Sequence, residues 1–349
     1  LTWHKYVAII ILVKFRGTLQ LATLQDIANK AGVSSSTVSR CLRADPSLVI
    51  TPATRDRIFT IANELEYISR SKKASAAQAN ILIVHKDTHF LNQIDNAFYF
   101  AVRAGIESKC YQNNFQFSFV PLQFLHLYSH AIDGALIVGN FTQSQVDEIL
   151  KLINTSNLVF VGQYNFYPER MDWITYNIRD AVTIALECLI NKGLSEILYI
   201  GGRDQAEVPR EYQKLYYFEQ FLTANVNIKC VDIIFCEHGA ENGYHTMNDW
   251  LNAGRPLPRA ILISNDPIAI GVLKALYERK IRVPDDVAVI SINGDSSGNY
   301  SSPTLTSVNV HAHEMGMESI VALTERINKS RRLPKKIEYI VALEQRQSV

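Results

Sequence analysis

Downstream of residue 80 the chain alternates short, uninterrupted apolar runs with longer stretches that are apolar on one side only. The runs fall at 81–84, 115–120, 135–138, 158–161, 197–200, 231–235, 260–263 and 287–292. They are too short for buried helices and are bounded by Gly, Asn, Asp and Ser, which marks them as strands buried on both faces. Between most of them lie residues with helical spacing, at 98–110, 178–191, 268–280 and 313–327. Such βα alternation predicts parallel sheets covered by helices on both faces. About 270 residues is long for one such sheet, so two similar subdomains are expected. Residues 115–135 leave little room for a helix, and that unit is expected to be truncated.

The first part of the chain carries a different pattern. Thr23-Leu24-Gln25-Asp26 has the spacing of a capping box, and Leu24, Ile27, Ala28 and Ala31 form one apolar face behind it. Gly32 ends that helix and Val33 plugs the turn. Ser34 then caps a second helix, 35–42, whose apolar positions are Val38 and Leu42. A third follows Thr51-Pro52, with Ile58, Ile61, Ala62 and Leu65 as its stripe. Two short helices across a tight Gly turn, closed by a third, predict a helix-turn-helix head. Its second helix presents Ser35, Ser36, Thr37, Ser39 and Arg40 and contains no acid. That face suits a phosphate backbone and a major groove, with the Arg40 fork matched to guanine. Thr23, Ser34 and Arg43 border it, and Lys72 and Lys73 follow in the linker, completing the candidate DNA-binding set.

Charge sharpens this division. Net charge over 349 residues is +1, but residues 1–22 carry +3, residues 23–79 carry +3 and the remainder −5. A basic head on an acidic body fits a head that meets a polyanion. The five cysteines stand singly, without a Cys-x-x-Cys pair, which excludes a zinc ribbon and favours a reducing, cytoplasmic setting. No cofactor or metal is expected. The longest apolar run, 6–13, is far short of a membrane span. Residues 1–20 lack a cleavage site for a secretory signal and are expected to be a translated leader, with Leu21 as initiator. The expected organisation is 1–20 leader, 21–67 head, 68–79 hinge and 80–349 body. Within the body, 80–165 with 312–330 would form one subdomain and 166–311 with 331–349 the other.

In open α/β sheets, ligands bind beyond the carboxyl ends of the strands. Gln163 and Asn165 follow one predicted strand; Arg203, Asp204 and Arg210 follow another. Ser264-Asn265-Asp266 and Asn293 follow two more, and Asn96, Phe98 and Tyr99 open the first long helix. Amides, acids, an Arg and aromatics suit a sugar, whose hydroxyls need donors and acceptors and whose ring stacks on an aromatic face. The effector-binding candidates are Asn96, Phe98, Gln163, Arg210, Asn265 and Asn293; Asp266 is expected to cap the helix begun at Pro267.

The head motifs Thr23–Ala28, Ala31–Ser34 and Thr37–Arg40, with residues 51–67 behind them, resemble the N-terminal signature of the lac/gal repressor family. Residues 198–210, 264–271 and 281–293 are similar to that family's effector-binding segments. The resemblance implies a body folded like the periplasmic sugar-binding proteins. It also implies a homodimer on a palindromic operator, and release by a sugar, with galactose or a galactoside suggested by overall similarity. By it, Arg210 would clamp sugar hydroxyls and Asn293 would stand where members often carry Asp. The family's hinge usually holds a leucine wedge; here the matching place reads Ser75-Ala76-Ala77. Two other readings compete. One is a global regulator of the same family using a phosphorylated carrier protein as corepressor. The other is an esterase, since Gly294-Asp295-Ser296-Ser297-Gly298 matches Gly-x-Ser-x-Gly after a strand. The loop-like sequence that follows and the closeness of His311 and His313 disfavour the esterase.

Overall fold

The computed structural model describes residues 23–42, 48, 50–65, 79–86, 96–203 and 208–349. The proposed leader, Arg43 and hinge residues 68–78, with Lys72 and Lys73, lie outside the described residues. The chain divides into two compact units, 1–76 and 77–349.

In the first unit, α1 (Leu24–Ala31), α2 (Ser35–Leu42) and α3 (Pro52–Glu64) enclose a small core. Ile27, Ala28, Ala31, Val38, Cys41, Ile58 and Ala62 are buried there. Cys41 is one of the two fully buried positions of α2, whereas Leu42 only packs against the margin. A thiol reads as polar in a sequence but fills space as a small apolar group.

The second unit has two six-stranded sheets. In the first, β1 (Asn80–His85), β2 (Gln116–Pro121), β3 (Gly134–Val138), β4 (Leu158–Val161), β5 (Asp172–Tyr176) and β11 (Lys336–Tyr339) pair in the order β11-β5-β4-β3-β1-β2, all parallel. The second holds β6 (Glu196–Gly202), β7 (Lys229–Cys236), β8 (Ala260–Ile263), β9 (Ala288–Asn293), β10 (Thr306–Asn309) and β12 (Ala342–Glu344). Its order, β12-β10-β9-β8-β6-β7, repeats the first, except that edge strand β12 runs antiparallel. The truncated unit after β2 is a 3-10 turn, Leu122–Leu127.

The subdomain boundary differs from the one expected. β5 pairs with β4 and β11, so the first lobe runs to Tyr176, and the segment 331–349 is shared: β11 joins the first sheet and β12 the second. The sequence Asp-Trp-Ile-Thr-Tyr of β5 is broken by Asp172 and Thr175 instead of running apolar, and therefore lacks the strand signal that the others carry. Its Asp172 is fully buried and accepts from Arg326 Nη1 at 3.1 Å, from the backbone of Lys335 at 3.1 Å and from Arg331. This carboxylate thus ties the first sheet to the returning chain.

Helices cover the sheets at close range. α4 (Ala97–Gln112) crosses α10 (Ala312–Ile327) through paired glycines: a Cβ on Gly105 would stand 2.0 Å from the His313 carbonyl oxygen, and one on Gly316 2.0 Å from that of Val102. In the second lobe, α8 (Ala240–Asn252) meets α9 (Asp266–Glu278) the same way through Gly243 and Gly271. A methyl group cannot enter without separating two backbones. Gly105→Ala should therefore lower stability by about 1–3 kcal/mol despite its better helix propensity. Thermal unfolding checks this, and an unchanged or higher midpoint would mean that the crossing is looser than described.

Candidate functional site

Two surfaces carry chemistry, one in each unit. In the head, Thr23 accepts from the Asp26 backbone at 3.3 Å while Asp26 accepts from the Thr23 backbone at 2.7 Å, a reciprocal capping box. Hydrogen bonds from Thr23 hold the Asp26 carboxyl below its ordinary range. Gly32 closes α1 at φ 66°, a conformation open to glycine. Ser34 Oγ accepts from the Thr37 backbone at 3.1 Å and lies 2.8 Å from the hydroxyls of Ser36 and Thr37. Ser35 Oγ donates to Gln25 at 3.2 Å. Thr23, Ser34 and Ser35 therefore build the turn and set the angle of α2. Ser36 is exposed, and Thr37, Ser39 and Arg40 are half-buried along one side of the same helix.

The second surface is a cleft of about 310 Å³ in the body. Parallel strands deliver their carboxyl ends to it from both sheets: Lys86 after β1, Asn140 after β3, Gly162 and Gln163 after β4, and Tyr176 ending β5. From the second lobe come Arg203 after β6, His238 after β7, Ser264 and Asn265 after β8, and Asn293 ending β9. Asn96, Phe98 and Tyr99 at the start of α4 complete the wall with Lys214, Pro267 and Met315.

Five of the six expected effector residues, Asn96, Phe98, Gln163, Asn265 and Asn293, line this cleft. Arg210 does not. It sits on the 3-10 turn Arg210–Tyr212 with its side chain 67% exposed, ion-paired with Glu219 of α7 (Lys214–Ala224) and 6.0 Å from the Tyr216 ring. The cleft guanidinium is Arg203. Lys86, Asn140, Tyr176, Lys214, His238 and Met315 were not among the candidates. Position directly beyond an apolar run could have flagged Lys86 and Asn140; nothing local flags the others.

The cap of α9 also moves by one residue. Asn265 is the cap, its Oδ1 accepting from the Ile268 backbone at 3.0 Å while its Nδ2 lies 2.9 Å from His238 Nδ1. Asp266 points inward and is fully buried, accepting from the Ser291 hydroxyl, from the Ser307 hydroxyl at 2.6 Å and from the Asp295 backbone at 2.6 Å. Burial raises the Asp266 carboxyl, but three donors favour its charged form. Burial and the neighbouring Asp266 push Asp295 up to about 8. Asn293 donates toward Asp295 at 3.4 Å, which links the pair to the cleft wall.

Two further details orient the wall. Asn140 and Gln163 bind each other reciprocally, at 3.2 and 3.0 Å, and Gln163 also donates to the Tyr212 carbonyl. Phe98 and Tyr99 meet edge to face at 5.1 Å, with Tyr176 6.5 Å beyond. The Gly-x-Ser-x-Gly match does not form a nucleophile elbow. Ser296 is exposed on a 3-10 turn, Ser296–Tyr300, and is not among the cleft residues.

A helix-turn-helix head followed by a two-sheet body with a polar cleft at the strand ends defines a DNA-binding regulator with a small-molecule pocket. Residues 23–69 match the lacI family of bacterial regulatory proteins, and residues 186–349 match the periplasmic binding protein-like domain. The HTH-type transcriptional regulator GalR of Streptococcus thermophilus is 30% identical over 326 residues, spanning 90% of this chain and 95% of that protein. The HTH-type transcriptional repressor MelR of Bacillus subtilis (strain 168) is 30% identical over 344 residues, spanning 94% and 97%. This chain belongs to the lacI family. Among solved structures it is similar to a transcriptional regulator CelR–cellobiose complex (TM-score 0.68, 22% identity, 94% of this chain and 100% of that one). It is similar also to the lac repressor dimer bound to operator and an anti-inducer (TM-score 0.66, 21% identity, 94% and 98%). These two share its fold. Among the described residues no helix is long and apolar enough to cross a membrane.

The Asp295 carboxyl yields a pH test. In the unfolded chain it ionises near its ordinary value of about 3.9; in the fold it keeps its proton up to about 8. The folded state then binds one proton more than the unfolded state between these values, so stability falls as pH rises through the window and levels off above it. Asp295→Asn, neutral throughout, should remove this share of the slope. Melting curves from pH 4.5 to 8.5 check it, and a slope equal to that of the parent would place the carboxyl ionised in the fold.

Proposed function

We propose that this protein is a transcriptional repressor of a sugar-utilisation operon, held on a palindromic operator as a cytoplasmic homodimer and released when a sugar fills the body cleft. The observation that carries this reading is the cleft wall: five amide side chains and three aromatic rings gathered at strand ends in a chain that begins with a helix-turn-helix. Amides both donate and accept, as hydroxyl groups demand, and rings stack against sugar faces. The similarity to GalR supports a galactose or galactoside effector.

In this scheme α2 enters the major groove, with Arg40 reading a base and Ser36, Thr37 and Ser39 meeting backbone or base edges. Thr23, Ser34 and Ser35 hold that helix at its angle. Arg43, Lys72 and Lys73 add phosphate contacts. Effector and operator affinities are coupled reciprocally: a sugar that prefers one state of the body weakens the state in which both heads reach their half-sites.

Selection of binding sites from random duplex DNA by the full chain, followed by footprinting, tests the reading. A two-fold symmetric site is expected, vacated on addition of a sugar. Arg40→Ala should lose about 1–3 kcal/mol on the selected site and little on random DNA. Equal losses on both would restrict Arg40 to phosphate contact, and the absence of any symmetric site would refute the repressor assignment.

A further inference from the structure

Among the described residues, the charges of the cleft are one-sided. Its described lining contains Lys86, Arg203, Lys214 and His238, and no carboxylate. A site for a neutral sugar gains little from such an excess, because hydroxyl groups need acceptors as much as donors. Here the acceptors are amide and hydroxyl oxygens, and several are already engaged: Asn140 and Gln163 with each other, and Asn265 with the Ile268 backbone.

The cations are also unequally compensated. Lys214 donates to the Ser264 carbonyl and stands near the buried Asp266, which offsets its charge. Arg203 lies 3.4 Å from Glu237, but both side chains are about two-thirds exposed and the pair is screened by water. Lys86 is half-buried, has the Phe141 ring 5.9 Å away, and makes no ion pair among the described residues. Burial pulls its ammonium group below the ordinary lysine value. A partly desolvated ammonium group favours the approach of an anion.

The placement of the two outer cations is symmetrical. Lys86 is the first residue beyond β1 and Arg203 the first beyond β6, and these strands occupy the same place in their respective sheets. One cation therefore comes from each lobe to the same cleft. We propose that the effector is an anionic sugar, a sugar phosphate, whose phosphate is met by Lys86 from the first lobe and by Arg203 from the second. The rings of Phe98 and Tyr99, in the same wall, face the sugar itself. This deepens the sugar-effector reading and rests on it.

The test uses the full chain and matched ligands: galactose, glucose and lactose, the 6-phosphate of each, and inorganic phosphate alone, compared by calorimetric titration at low and high NaCl. At least one sugar phosphate is expected to bind tenfold or more tighter than its parent sugar. That advantage should shrink with salt, as a charge contact must, and should disappear in Lys86→Gln. Parent sugars that bind as tightly as their phosphates would overturn the anionic effector while leaving the sugar effector standing. An advantage that survives Lys86→Gln would overturn the role given to Lys86. Inorganic phosphate binding as tightly as the sugar phosphates would reduce the site to an anion receptor and overturn the proposal. Binding of none of these ligands would overturn both readings.

Discussion

Parallel pairing is the constraint on which the cleft depends. When neighbouring strands run the same way, every crossover leaves from the same edge of the sheet, so the residues just beyond each strand gather in one place. Eight strands, β1, β3, β4 and β5 from one sheet and β6 to β9 from the other, send a side chain to the same space of about 310 Å³. Apart from the edge strand β7, the aliphatic strands that impose this pairing are buried, and their polar neighbours reach the cleft only because the strands end where they do. The chain enforces the meeting of the two edges by passing between lobes three times: from β5 into α6 (Ile178–Asn191), from β10 into α10 and from β11 into β12.

A second layer of order lies under the wall. Asp266, Ser291, Ser307 and the backbone of Asp295 connect α9, β9 and β10 through one buried carboxylate. Asn265, next to it, caps the helix with one end of its amide and reaches His238 with the other. The floor of the second lobe is thereby fixed before any ligand arrives, which is what a selective pocket requires. In the first lobe the equivalent rigidity comes from the mutual bonds of Asn140 and Gln163 and from the edge-to-face contact of Phe98 and Tyr99.

The eight aliphatic strands are legible in the sequence, and with them the positions of Gln163, Asn265 and Asn293, because a continuous apolar run followed by an amide is a strong signal; Asn96 and Phe98 are marked instead by the start of a helical stretch. β5 and β11 lacked it: Asp172 and Thr175 in one and Lys336 and Glu338 in the other break the run; β5 is buried by partners distant in the chain, whereas β11 is an edge strand with Lys336 and Glu338 exposed. Arg210 was misplaced for a related reason. Sequence proximity to β6 does not give a side chain its direction, and Glu219, nine residues on, turns this one outward. Lys214 and Met315 enter the cleft from helices, where a single residue carries no mark of the face it will find. The head was legible almost entirely because capping boxes, a left-handed Gly and helical spacing act over a few residues. Cys41 was the exception, a core position whose chemistry reads otherwise.

The central claim is that an effector occupies the joint carboxyl edge of the two sheets. Amide hydrogen exchange on the full chain, with and without whichever sugar or sugar phosphate binds it, measures this most directly. Added protection is expected at the ends of β1, β4, β8 and β9 and at the start of α4, the segments carrying Lys86, Gln163, Asn265, Asn293 and Phe98. Protection that bypasses these segments and appears instead around the separate hollow lined by Arg179, Glu211 and Lys336 would contradict it.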